Sequence, residues 1–147
     1  MSNDMRSTAA TAFLHSRRRV PVVGGLLTLI GAVHVASTSL VYPEGVASVL
    51  DSRVIASIEA EPDVLALRSA VFWYVTAGLL IIVIGALVIW VERFTGHVPR
   101  FVAWALLVVT AWGVLLMPVS GFWALLAPVA IALRARPHRP HLPHHEA

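Results

Sequence analysis

The residue in this 147-residue chain best equipped for chemistry is His34. It is the one imidazole inside the uncharged stretch Val20 to Tyr42, and three hydroxyl residues, Ser37, Thr38 and Ser39, follow it within about one helical turn. A neutral imidazole can act as general base, relay a proton, ligate a metal or donate to a substrate carbonyl. An ionisable group set in an apolar helix is expensive to bury and is a functional candidate by default. The plainer alternative is a histidine hydrogen-bonded to a backbone carbonyl or a threonine hydroxyl of a facing helix. Tyr42 and Glu44 stand at the mouth of the same stretch, and Tyr74 and Thr76 lie near the start of a second apolar run. These positions define a candidate ligand-binding set, His34, Thr38, Tyr74 and Thr76, with His34 as the candidate catalytic residue. No second histidine or carboxylate inside an apolar run completes a dyad.

Other chemistry is largely excluded. Cysteine is absent, which removes disulfides, thiolate metal sites and cysteine nucleophiles. There is no nucleotide loop, zincin motif or nucleophile elbow. No Asp, Glu, Lys or Arg lies inside an apolar run, which argues against a proton-coupled exporter of the small multidrug type, and haem would need a second axial ligand from another copy. His138, His141, His144 and His145 alternate with Pro and Arg near the C-terminus. They form a weak metal-binding tract whose Pro-rich backbone gives no preorganised geometry. The isoelectric point near 10.6 comes from arginines that flank apolar runs: Arg17, Arg18, Arg19, Arg134, Arg136 and Arg139. In that position they read as topology determinants and lipid-headgroup contacts, and no basic face points to nucleic acid.

The elements that must position His34 follow from composition. The chain is 58% hydrophobic and 13% charged, with mean hydropathy +0.79. A soluble domain averages about 25% charged residues, so water cannot be the only solvent of this surface. Val20–Tyr42 and Ser69–Val91 are uncharged runs of 23 residues each, long enough for a hydrocarbon core. Phe101–Leu133 carries no charge over 33 residues and is interrupted at Met117-Pro118-Val119-Ser120-Gly121, where Pro and Ser-Gly supply turn chemistry. The expected fold class is therefore all-α, a four-helix transmembrane bundle over residues 20–133, with spans at about 20–42, 69–91, 101–117 and 119–133. Residues 1–19 form a polar N-terminal segment and 134–147 a disordered tail. Ser16-Arg17-Arg18-Arg19-Val20 superficially resembles a twin-arginine signal, but the apolar run is too long and lacks an A-x-A-like cleavage site, so a retained helix is expected. Pro128 should kink the fourth helix.

Nine of the eleven arginines lie in the N-terminal segment, between spans two and three, and in the tail. The positive-inside rule then puts both termini in the cytoplasm of a multi-pass plasma-membrane protein. Trp73, Tyr74, Trp90 and Trp123 fit interfacial belts. In the outer loop between spans one and two, Val46, Val49, Leu50, Val54 and Ile58 recur at helical spacing, which predicts a short amphipathic helix ended by Pro62 or followed by a turn opening there. Gly24, Thr28, Ala32 and Ala36 place a small residue at every fourth position of the first helix, and Gly78 and Gly85 mark the second. They suit close packing within the chain, or alternatively a homodimer seam along the first helix.

Several landmarks form a set: a His late in a Gly-rich first helix, Phe72-Trp73-Tyr74, Val98-Pro99-Arg100, and Pro118-Val119-Ser120-Gly121-Phe122-Trp123 at the last hairpin. Over about residues 20–135 the chain resembles a family of small four-helix bacterial inner-membrane proteins without an assigned function. The P-x-S-G-F-W hairpin is the most specific part, and with His34 it is what the resemblance points to. A more distant architectural likeness is to DoxX-type membrane proteins. The expected function is binding of a lipid-like or small hydrophobic ligand, or of a membrane partner. One alternative is a membrane enzyme on an isoprenoid- or sterol-like substrate with His34 as acid/base. Another is an oligomeric transporter subunit, disfavoured by the missing intramembrane charge.

Overall fold

The long runs rich in Leu, Val, Ile and Ala form helices, interrupted where Pro and hydroxyl residues fall. The computed structural model describes residues 20–134, and among them there is no strand. The elements are α1 (Val22–Ala36), α2 (Thr38–Val41), α3 (Pro43–Asp51), α4 (Leu65–Thr95), α5 (Arg100–Leu116) and α6 (Leu126–Arg134). Short 3-10 turns at Pro62–Val64 and Gly121–Leu125 lead into α4 and α6.

α4 has 31 residues, about 46 Å at 1.5 Å per residue, and outruns the expected second span at both ends. With its leading 3-10 turn it is the one described helix long and apolar enough to cross a membrane by length and composition; α1, α5 and Gly121–Arg134 are apolar but shorter. It stops at Gly96, whose φ of 73° closes the helix C-terminus with a bond from its N–H to the Glu92 carbonyl.

The first apolar run is not one helix. Ser37 ends α1 and α2 adds a single turn, because two hydroxyls bond back to carbonyls of the preceding turn: Ser37 Oγ to His34 O at 2.8 Å and Thr38 Oγ1 to Val35 O at 2.7 Å. The amphipathic helix exists as α3, but it stops at Asp51. Val54 and Ile58 lie beyond it, in a segment where Arg53, Val54 and Ala56 have φ of 63°, 64° and 56°. Pro62 opens the 3-10 turn before α4. Near Pro128 the helix changes type instead of kinking. Pro128 falls in the first turn of α6, where its missing N–H is tolerated, and the turn before it is 3-10.

α1 and α4 run antiparallel in the most extensive contact of the fold. The seam is two glycine pairs. A Cβ on Gly24 would stand 2.7 Å from the Gly85 carbonyl, and one on Gly31 would stand 2.8 Å from the Gly78 carbonyl. Both pairs are spaced by seven residues, two helical turns, which drifts only about 20° around the helix. The four-residue ladder drifts about 40° per step. Gly24 and Thr28 accordingly meet α4, whereas Ala32 and Ala36 rotate to the exposed side. On its other flank α1 meets α6, which pairs with α5. The shared core joins Val23 and Leu27 of α1 with Val88, Val98, Ala103, Leu125 and Ala132.

At one end of the α1–α4 pair the Glu92 carboxylate accepts from the N–H groups of Val23 (3.2 Å) and Gly24 (2.9 Å). Pro21 offers no side-chain cap, so a residue 68 positions away supplies it, with negative charge at the positive end of the helix dipole.

Candidate functional site

The other end, where α1 gives way to α2, holds the candidate residues. His34, in the last turn of α1, stacks on Tyr74 of α4 with ring centroids 3.9 Å apart and planes 16° from parallel. The stack is possible because Gly78 lies one turn along from Tyr74, where an added Cβ would stand 3.1 Å from His34 Cδ2. The Tyr74 hydroxyl lies 3.0 Å from Ser37 Oγ, and Tyr42 meets the Tyr74 ring edge-on at 5.4 Å. His34, Ser37, Tyr42 and Tyr74 are all half-buried. Among the described residues His34 Nε2 is shut off from solvent and has no hydrogen-bond partner of good geometry; the backbone of Tyr74 lies toward the ring. Thus two of the four proposed ligand residues, His34 and Tyr74, come together. Thr38 is buried, but its hydroxyl is already spent on Val35 O, and Thr76 has no side-chain hydrogen bond tying it to the cluster among the described residues.

Around the same turn of α1 an apolar groove of about 320 Å³ opens between α1, α2, α3, the segment after α3 and α4. Six of its ten lining residues are valines: Val35, Val46, Val49, Val54, Val71 and Val75. Val46 and Val49 come from the amphipathic spacing that predicted α3, so the apolar face of that helix forms one wall.

Behind the groove lies a residue whose role the sequence did not reveal. Arg68, one of the two arginines outside the three clusters that set the expected orientation, sits in the first turn of α4 and is 3% exposed. Its Nε donates to Ser48 Oγ at 2.9 Å, Nη1 to the Ser57 carbonyl at 2.7 Å, and Nη2 to Glu61 Oε1 at 3.1 Å. One guanidinium therefore ties α3, the segment after it and the approach to α4 together. No sequence pattern marks this, because its partners stand 7, 11 and 20 residues away in a region without period.

The P-x-S-G-F-W hairpin has a structural explanation. Trp123 Nε1 donates to Pro118 O at 2.9 Å, Ser120 Oγ accepts from Phe122 N, and the Phe122 ring lies against Gly113 of α5 where no side chain fits. Every distinctive side chain of the motif is spent on closing the α5–α6 turn. No group of three or more His, Asp or Glu among the described residues is placed to hold a metal ion, and the tail histidines lie outside those residues.

Fold and site define an all-helical protein with one helix able to cross a membrane, and with a stacked His–Tyr cluster beside an apolar groove. Residues 18–139 match a family of unknown function, DUF6463, and the chain belongs to it. This agrees with the resemblance to an uncharacterised family and adds nothing to the DoxX-type likeness or to a bacterial source. No curated protein and no solved structure matches the chain.

Proposed function

We propose that the chain is a multi-pass plasma-membrane protein with four crossings and both termini cytoplasmic, and that its outer end binds a small hydrophobic or lipid-like molecule. The observation that carries the membrane reading is the outward-facing apolar surface. The most apolar 18-residue window of α4 has mean hydropathy 2.6, yet only 17% of it is buried. A core helix of a soluble protein would be mostly covered. Exposed Leu29 and Val33 on α1, and Trp104, Val108, Trp112 and Leu115 on α5, extend the same character to the shorter helices. Shortness is no obstacle to this reading, since α1 with α2, and the 3-10 turn with α6, each continue an apolar stretch across a change of helix type. On this topology the groove and the His34–Tyr74 cluster lie at the outer interface and Glu92 at the cytoplasmic one. A contact between copies along α1 would use the exposed Ala32 and Ala36, since Gly24 and Thr28 are taken up by α4.

One observation favours the enzymatic alternative on an isoprenoid- or sterol-like substrate: among the described residues His34 Nε2 has no hydrogen-bond partner, and its ring stacks on Tyr74, whose hydroxyl pairs with that of Ser37. Native mass spectrometry from mild detergent distinguishes the two. A reproducible bound mass that persists in His34→Ala supports a ligand held by the apolar groove. A mass lost in His34→Ala and in Tyr74→Phe assigns binding to the polar cluster and favours the enzyme. A bare protein in every case refutes ligand binding. The natural absence of cysteine allows a topology test with single introduced cysteines. Asp63→Cys should react with an impermeant maleimide in intact cells and His97→Cys should not; the reverse pattern would overturn the orientation.

A further inference from the structure

We infer that the groove between α1, α3 and α4 takes a single acyl chain of a bilayer lipid, entering sideways beneath the segment Ser52–Ser57 and selected by its hydrocarbon, not by its headgroup. The inference rests on the membrane reading above and names the occupant of that site.

The lining decides the chemistry. Valine, with two heavy atoms on Cβ, is stiff at χ1, so walls built of six valines on packed elements are preformed instead of collapsing when empty. Of the two hydroxyls in the lining, Thr38 spends its own on the Val35 carbonyl, and Ser39 is at the exposed lip. The interior therefore offers no unspent donor to a polar group, and a ligand with an embedded hydroxyl or carbonyl would lose its hydrogen bonds on entering. No aromatic side chain lines the groove, so flat rings gain no stacking there. A groove of about 320 Å³ accommodates a section of one flexible fatty-acyl tail.

The way in is also defined. Leu50 and Val54 belong to the lining and are themselves exposed, and Ile55 and Leu40 next to them are exposed as well. The groove is thus continuous with the apolar surface that faces hydrocarbon in the membrane reading. Arg68 fixes the far end of the overlying segment through the Ser57 carbonyl, while Val54, at its middle, is a β-branched residue held at φ 64°. The backbone there is tied by bonds from Val54 N–H to the Val49 carbonyl and from Ser57 Oγ to the Val54 carbonyl, so it is the Val54 side chain that can give, and strained positions of this kind gather at ligand clamps. An entering chain displaces Val54 while Arg68 keeps the segment attached.

The test uses the full chain reconstituted in phosphatidylcholine vesicles that contain a small fraction of phosphatidylcholine with a diazirine on one acyl chain. After photolysis and digestion, labelled residues are mapped by mass spectrometry. Label is expected to be several-fold richer on residues 35–54 and 71–75 than on the exposed face of α4 at Leu79, Val83 and Leu87. Val75→Trp, which fills the groove, should abolish that excess, and exchanging the bulk lipid for phosphatidylglycerol should leave it unchanged. Val49→Phe fills the same space from α3, so either variant serves if the other fails to fold. Labelling that is even over groove and exposed face, that survives both filled variants, or that follows the headgroup would overturn the inference. Failure of the wild type to float with vesicles would sink the membrane reading and this inference with it, whereas flotation with even labelling sinks this inference alone.

Discussion

The two ends of the α1–α4 pair are built on opposite plans. At the Glu92 end the helices approach until the Gly24 and Gly85 backbones nearly touch, and the orphan N–H groups of α1 are capped by a carboxylate from α4. At the Ser37 end the Gly31–Gly78 approach gives way to side-chain contact, a stacked His34–Tyr74 pair and a hydroxyl contact, and beside them the loop elements leave a groove. The first end spends its polar groups on structure, and the second retains a buried, unpartnered Nε2. Close glycine packing fixes the register of the pair so that an under-filled end can exist without loosening the whole.

Substitutions sort the two plans by the size of their effect. Gly85→Leu should be the most damaging, because its side chain would enter the Thr28 backbone; a loss of about 3 kcal/mol or more is expected from overpacking a seam without slack. Unfolding in detergent measures it, and a loss under about 1 kcal/mol would show that the seam can spread. Arg68→Ala should cost about 3 kcal/mol through its three lost bonds. It should also speed limited proteolysis within residues 52–61, and an unchanged cleavage rate would separate Arg68 from the order of that segment. Glu92→Ala should cost about 1–2 kcal/mol as a lost cap with lost dipole compensation, with Glu92→Gln recovering part of it. Full stability in Glu92→Ala would mean that the cap is replaced by solvent. Tyr74→Phe keeps the stack and removes only the Ser37 contact, so about 1 kcal/mol is expected. A larger loss would make the open end as tightly coupled as the closed one. Ala32→Ile, on the exposed side of α1, should change monomer stability by less than about 0.5 kcal/mol, and any marked effect on oligomeric state would show that this face meets another copy.

How much of this the sequence reveals differs from element to element. α5 was bounded to within one residue at each end, since Pro99 and the Met117-Pro118 break punctuate it. The first apolar run misled, because hydropathy does not register that Ser37 and Thr38 turn their hydroxyls onto the preceding carbonyls. The spacing of Val46, Val49 and Leu50 marks the outer-loop helix but carries it too far, since Val54 and Ile58 keep that spacing after the backbone has left the helix. For the site, His34 stood out as a lone imidazole and Tyr74 as a belt aromatic, yet nothing local joined residues 40 positions apart in a stack. Arg68 gives no local sign of its burial for the same reason: an exposed loop arginine and a buried one have the same letter.

The sequence by itself determined that this chain is helical, where its charges cluster, and which stretches are apolar enough to exclude water, because those properties are sums over local composition and period. Only the tertiary structure decided which glycines face each other, that Glu92 caps α1, that Arg68 is buried, and that His34 lies on Tyr74. Those are pairings between distant residues, selected by the one rotation and register at which the α1 and α4 backbones can touch.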